Sequence, residues 1–234
     1  MKVALILTGH ARRYRSTFDS VKQHLLDKHD VDVYLSTWSI DNPGRRYGAP
    51  DWYEPTPLDL ASLVETVKPV KTHVQDYHQY YSNRFPSIDI TSSTRSDDIF
   101  KVNHHAIVHG TFWVERQRDQ WYMIQKGWQL IDNPKQYDII YRLRVDTRLL
   151  NVELKNNGKI ILPDTEVNGE LSVTDHMAYG PPDLMEKYCN FFDHIGPMYH
   201  NDNVNIAHAD EMLGIYLKNY VKVPHELDSI RYEH

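Results

Sequence analysis

With 234 residues, of which 25% are charged and 41% hydrophobic, the chain has the length and polarity of an ordinary globular α/β protein with a sizeable core. Its formal net charge of -6 argues against a general nucleic-acid binder and leaves room for a local basic pocket. A single cysteine, Cys189, excludes an intramolecular disulfide framework, and no stretch approaches the ~20 apolar residues of a membrane helix.

Residues 2–8 form a continuous apolar run, which suits a central parallel strand covered on both faces. The run is too short for a signal peptide, so a cytoplasmic location is expected. It ends in Thr8-Gly9-His10-Ala11-Arg12, where Gly9 permits a tight turn or the close approach of a ligand. A helix follows over about Ser16–Lys28, with Phe18, Val21 and Leu25 on its apolar side. Strand, glycine turn and helix together make a common phosphate-binding arrangement. The three-glycine Rossmann fingerprint and the P-loop are both absent.

Val31–Ser36 reads as a second strand ending in Thr37-Trp38, so the chain starts β-α-β with a parallel sheet. Residues 39–56 read as a surface loop. Thr56-Pro57 has the pattern of a helix start, with the helix ending before Pro69 and a third strand over Val70–Val74. Residues 76–98 are polar and Tyr-rich and read as a long loop. Helical periodicity returns near Ile99, breaks near Gly110 and resumes over Trp113–Ile131. There Gln120, Tyr122 and Lys126 are candidates to face a ligand, against the ordinary reading of a solvated face.

Residues 137–150 carry the most unusual pattern. Ile139, Tyr141, Leu143 and Val145 fall on one face of a strand, and Ile140, Arg142 and Arg144 on the other. Two arginines on one strand face, running into Asp146, read either as salt bridges at a sheet edge or as an anionic-ligand site at the carboxyl end of a strand. Beyond it, short strands are expected at Lys159–Leu162, Leu171–Val173 and Val221–Val223. Helices are expected from Pro181-Pro182 to about Ile195 and from Asp210-Glu211 to about Asn219, with polar loop over 196–208. Cys189 reads as a small core residue. No zinc spacing and no nucleophile elbow occur among the motifs. Asp146 with phosphate oxygens and water would suit a hard cation such as Mg²⁺ or Mn²⁺.

Four stretches in this order resemble the small GT-A-type glycosyltransferases of polysaccharide and lipopolysaccharide gene clusters and of large DNA viruses. Leu5 through Arg12 looks like the family's opening strand with its Ser/Thr-Gly-x-x-Arg turn. Val31 through Trp38 is similar to its second strand. The helix carrying Gln120-Trp121-Tyr122 and Lys126 resembles the helix before its motif strand. Arg142-Leu143-Arg144-Val145-Asp146 matches the Arg-x-Arg-x-Asp that stands in place of Asp-x-Asp. Softer matches are Asp175 through Gly180 and the acidic pair Asp210-Glu211.

The resemblance implies one GT-A-like (Rossmann-like) domain over residues 1–234, a mixed and mainly parallel central sheet flanked by helices. It implies transfer of a hexosyl or deoxyhexosyl group from a nucleotide-diphosphate donor, UDP-linked by preference, to a glycan or glycoprotein hydroxyl. Thr8, Gly9, His10, Arg12 and Trp38 would hold the nucleotide. Gln120, Lys126, Arg142 and Arg144 would contact phosphates or sugar. Asp146 would meet Mn²⁺ or Mg²⁺ or the sugar ring, although Arg144 stands where Asp-x-Asp has its first carboxylate, and that puts metal dependence in doubt. Glu211, Asp210 and Asp175 are the candidates for the base, with Glu211 first. Two other readings stand beside this one: a nucleotidyltransferase, disfavoured by the single glycine after strand one, and a non-catalytic carbohydrate-binding or structural protein. No nucleic-acid partner and no integral membrane segment are expected.

Overall fold

The computed structural model describes residues 1–42, 56–84, 112–150, 153–163, 176–201, 209–217, 220–223 and 227–228. Seven strands make one sheet: β1 (Lys2–Gly9), β2 (Asp30–Trp38), β3 (Lys71–Gln75), β4 (Ile139–Arg144), β5 (Ile160–Pro163), β6 (Met177–Gly180) and β7 (Tyr220–Val223). Their spatial order is β3-β2-β1-β4-β6-β5-β7. β3, β2, β1 and β4 pair in parallel, β7 pairs in parallel with β5, and β6 runs against both of its neighbours. The expected mixed, mainly parallel sheet flanked by helices is what the chain forms.

The central strands are apolar on both faces because both faces are covered. On one face, Val3, Leu5 and Leu7 of β1 and Ile139, Tyr141 and Leu143 of β4 share a core with α1 (Tyr14–Val21), which continues as a π-helical turn over Lys22–Leu26, and α2 (Leu60–Val67). The alternate residues Ala4, Ile6 and Ile140 face the other way. They pack under α4 (Phe112–Trp128), α5 (Pro182–Cys189), α6 (Phe192–Asn201) and α7 (Ala209–Leu217), with Trp121 of α4 meeting Tyr188 and Phe191 edge-on at centroid distances of 5.1 and 4.9 Å. A further helix, α3 (Tyr77–Arg84), follows β3.

Helix α4 sits very close to the sheet. A Cβ built on Gly127 would lie 2.5 Å from Ile6 Cγ2 and 3.2 Å from Thr8 Cγ2, so this helix position has no space for a side chain. That close approach brings the middle of α4 over the carboxyl ends of β1 and β2, with Met123 joining Trp38, Ile40 and Tyr77 in a small separate core.

Several boundaries differ from the sequence reading. Thr56-Pro57 is a two-residue strand paired with Ile40–Asn42, and α2 begins at Leu60. The cause is Asp59, whose carboxylate accepts from the Ser62 backbone N–H at 3.1 Å and fixes the helix start there. The expected loop after residue 76 instead opens with α3, whose rings Tyr77 and Tyr80 pack on Trp38. The single helix expected over 182–195 is two, broken at Asn190-Phe191, and the second continues through Pro197 to Asn201, where polar loop was expected. The strand expected at Leu171–Val173 and the helical stretch from Ile99 to Gly110 lie outside the described residues. Among the described residues, no helix is long and apolar enough to cross a membrane.

Candidate functional site

The register of the sheet assembles the site. Thr8 stands opposite Ser36 on β2 and opposite Arg144 on β4, and Ile6 stands opposite Arg142. All lie toward the carboxyl ends of the parallel strands, where an open α/β sheet offers a crevice. The turn after β1 starts at Gly9, whose φ of +99° is a conformation that residues with a Cβ rarely adopt. Thr37 anchors the turn by donating its hydroxyl to the Gly9 carbonyl at 2.8 Å.

Arg142 is fully buried and donates from Nε to Thr8 Oγ1 at 3.0 Å. A guanidinium inside a sheet is costly unless its donors are met, so its retention here fixes the end of β1 to the end of β4. Arg144 reaches Asp146 with both arms of its fork, Nε to Oδ1 at 3.0 Å and an Nη to Oδ2 at 2.9 Å. Both side chains of this pair are little exposed, at 13% and 12%. Backbone bonds hold the turn that carries the pair: Val145 N–H donates to the Thr8 carbonyl at 3.1 Å, and Thr147 N–H to the Arg144 carbonyl at 3.2 Å.

His10 lies over this edge, half-buried, with its Nδ1 3.3 Å from the Ile40 carbonyl and its ring stacked on Trp38 at 5.9 Å and 23°. Burial drives its imidazole pKa down to about 3, and the Arg12 and Arg144 charges act in the same sense, against the Ile40 hydrogen bond and the Asp146 charge. His10 is therefore a neutral ring at neutral pH. Asp41 is the residue the sequence reading missed. Burial raises its carboxyl pKa and Asp146 adds to the rise, while Arg12 and Arg15 pull it down. The same electrostatic neighbourhood thus contains Arg12, Asp41, Arg144, Asp146 and His10. Asp41 follows Trp38 by three residues at the end of β2, and that position was the signal available in the sequence.

Other expected residues are placed differently. Lys126 donates to Gln129, just past the end of α4, at 3.2 Å and lies over the Tyr122 ring, and its charge acts on His73 of β3. Gln120 is half-buried on the same helix, beside Trp121. Asp210 and Glu211 are the second and third residues of α7, and Asp175 lies outside the described residues. Cys189 ends α5 fully buried, and burial pushes its thiol pKa well up, as suits a core residue. The phosphate cradle expected at the start of α1 is partly closed. The Tyr14 and Ser16 amides already donate to the Ala11 and Arg13 carbonyls, at 3.2 and 2.8 Å.

The Mn²⁺ or Mg²⁺ expected at Asp146 does not fit the donor set. Both oxygens of its carboxylate accept from the same guanidinium, whose charge offsets that of the carboxylate. Among the described residues no three His, Cys, Asp or Glu side chains are grouped to hold an ion. What the arrangement can do is hold an anion beside guanidinium groups in a partly dry crevice, next to the aromatic floor of His10 and Trp38.

No protein-family model and no curated protein matches this sequence. Among solved structures, the chain is similar to the apo-form glycosyltransferase GlyE of Streptococcus pneumoniae TIGR4, at 8% identity and a TM-score of 0.46. The match covers 95% of this chain and 44% of that one, so this chain spans less than half the length of that protein.

Proposed function

We infer that this chain is a glycosyltransferase that moves a sugar from a nucleotide-diphosphate donor, UDP-linked by preference, to a carbohydrate hydroxyl. The observation that supports the reading is that Arg142 and Arg144 of β4, with Asp146 in the turn after it, come together with the Thr8-Gly9 end of β1. Arg12, Arg144 and Asp146 all act on the His10 charge at this end of the sheet, while Arg142 is fully buried. These are the residues in which the sequence resembles GT-A-type glycosyltransferases.

In this reading the nucleotide lies along the Gly9 turn. His10 and Trp38 form its aromatic floor, and a neutral His10 can present a ring face without adding charge. The diphosphate lies against Arg12 and the Arg144–Asp146 pair. Charge developing on the leaving diphosphate is then met by guanidinium groups already held in place, with no reorganisation required at the moment of transfer. Donor binding is accordingly expected without added Mn²⁺ or Mg²⁺. A carboxylate must take the proton of the acceptor hydroxyl if the sugar is transferred with inversion, a contribution of roughly 10²–10⁴ in rate. Glu211 is the first candidate, with Asp210 and Asp175 behind it. A cytoplasmic site of action and a glycan acceptor complete the proposal.

The test is thermal unfolding against UDP-, GDP- and dTDP-sugars, with and without Mn²⁺. A donor at a hundredfold excess over its dissociation constant raises stability by about 2.7 kcal/mol. A rise with one nucleotide class, equal in EDTA and in Mn²⁺, supports the reading. If no nucleotide sugar moves the transition, the transferase assignment is lost.

A further inference from the structure

A second concavity lies outside the arginine crevice, beyond Trp38. It has a volume of about 540 Å³, within the range of small-molecule sites. The rings of Tyr80 from α3, Tyr122 from α4 and Phe192 from α6 form its walls. They are inclined to each other rather than stacked flat: Tyr80 to Tyr122 at 4.9 Å and 37°, Tyr122 to Phe192 at 5.5 Å and 64°. The polar lining is mostly side-chain amide, from Gln75 at the end of β3 and from Gln79 and Asn83 on α3.

The walls are held in advance. Tyr122 donates its hydroxyl to Gln75 Oε1 at 2.8 Å, and Tyr80 donates to Asp119, which is buried, at 3.1 Å. The charged group in the lining is Arg118, whose guanidinium lies over the Phe192 ring at 5.2 Å. Fixed aromatic faces match the apolar C–H face of a pyranose ring. Amides, each with an acceptor oxygen and two N–H donors, match hydroxyls that both give and accept. A phosphate-bearing ligand would find one guanidinium here and several in the crevice across Trp38. Trp38, buried, packs between the two regions: it stacks on His10 and meets Tyr80 and Tyr122 at 5.1 and 6.4 Å.

We propose that the pocket of α3, α4 and α6 is a binding site for a neutral saccharide, separate from the nucleotide crevice and joined to it through Trp38. Its identification as the acceptor site rests on the transferase reading above; the site itself does not. The test uses the whole chain without nucleotide. Saturation-transfer NMR and calorimetry would be run with methyl glycosides of glucose, galactose, mannose and N-acetylglucosamine, and with lactose and cellobiose. Saturable binding of at least one of these is expected. Gln79 and Asn83 are exposed, so the double variant Gln79→Ala/Asn83→Ala keeps the fold, checked by circular dichroism, and should weaken that binding at least fivefold. Tyr122→Phe, which keeps the ring and releases the Gln75 amide, should weaken it by a smaller factor. Three results overturn the proposal: no saturable saccharide, an unchanged affinity in the double variant, or displacement of the saccharide by free uridine or guanosine. Because nucleotide is absent, failure here leaves the transferase reading standing, and failure of donor binding leaves this site standing.

Discussion

The Arg144–Asp146 pair gives the sharpest test of how the crevice is held. Replacing Asp146 with Ala removes the acceptor of two charge-assisted hydrogen bonds, at 3.0 and 2.9 Å, and leaves a guanidinium in a site where only about an eighth of each side chain is exposed. Removing one partner of a fully buried pair costs about 3–5 kcal/mol, mostly from the charge left behind. The residual exposure lowers this to about 3 kcal/mol, or roughly 6–12 °C in Tm for a chain of this size. Urea unfolding followed by tryptophan fluorescence measures it. Glu153→Ala is the internal control, because its 3.0 Å pair with Lys155 is about 70% exposed and should count for less than about 0.5 kcal/mol. A double-mutant cycle with Arg144→Ala separates the pair from the packing of either side chain, and a coupling above about 1.5 kcal/mol is expected. If Asp146→Ala behaves like Glu153→Ala, the pair does not hold the crevice and Asp146 is available for another role, including an ion.

Gly127→Ala gains up to about 1 kcal/mol of helix propensity, but its Cβ would lie 2.5 Å from Ile6 Cγ2; a net loss of about 1–2 kcal/mol is expected from the overpacking, and a stabilised variant would contradict the close α4–sheet packing. His10, with its folded pKa depressed to about 3, binds its proton in the unfolded chain first. Its contribution is complete above the unfolded value near 6.5 and is lost as pH falls from there toward 3, at up to about 1.4 kcal/mol per pH unit. His10→Asn should flatten the acid limb of the stability curve over that window, and an unchanged limb would show that His10 titrates normally. Cys189, buried with its thiol pKa raised, should react with an aromatic disulfide reagent only at the rate of unfolding. Immediate labelling of the native chain would place it at the surface.

The strands were legible because burial on both faces leaves an unbroken apolar run, and alternation along residues 139–145 put Arg142 and Arg144 on the face opposite Tyr141 and Leu143, as the structure has them. Of the two readings of these arginines, Arg144 shows the salt bridge, with Asp146 as its partner. Asp146 follows Arg144 by two residues in the turn that closes β4, close enough in sequence for a guanidinium and a carboxylate to pair. Helix α3 escaped because Tyr-His-Gln-Tyr-Tyr-Ser-Asn-Arg has little local amphipathicity. Its stability comes from Tyr77 and Tyr80 meeting Trp38, some forty residues earlier. Asp41 was hidden for a similar reason. It sits in a stretch that reads as polar loop, and only the fold brings it into the field of Arg12, Arg15 and Asp146.

The chain carries a net charge of -6, yet the crevice is built the other way. Arg12 and Arg15 act on Asp41, and Arg12 and Arg144 on His10, with Asp146 acting against them, and burial opposes ionisation of Asp41. Among the described residues, three guanidinium groups, Arg12, Arg15 and Arg144, thus stand near two carboxylates, one of them resisting charge. Under the proposed function, such a balance on an acidic chain would favour a small anionic ligand over a polyanion. The aspartates have a role in this arrangement. Asp146 fixes Arg144 by both arms of its fork. Under the proposed transfer reaction, a pair fixed in this way would meet developing charge without reorganising, the condition under which charge stabilisation lowers a barrier rather than only tightening binding.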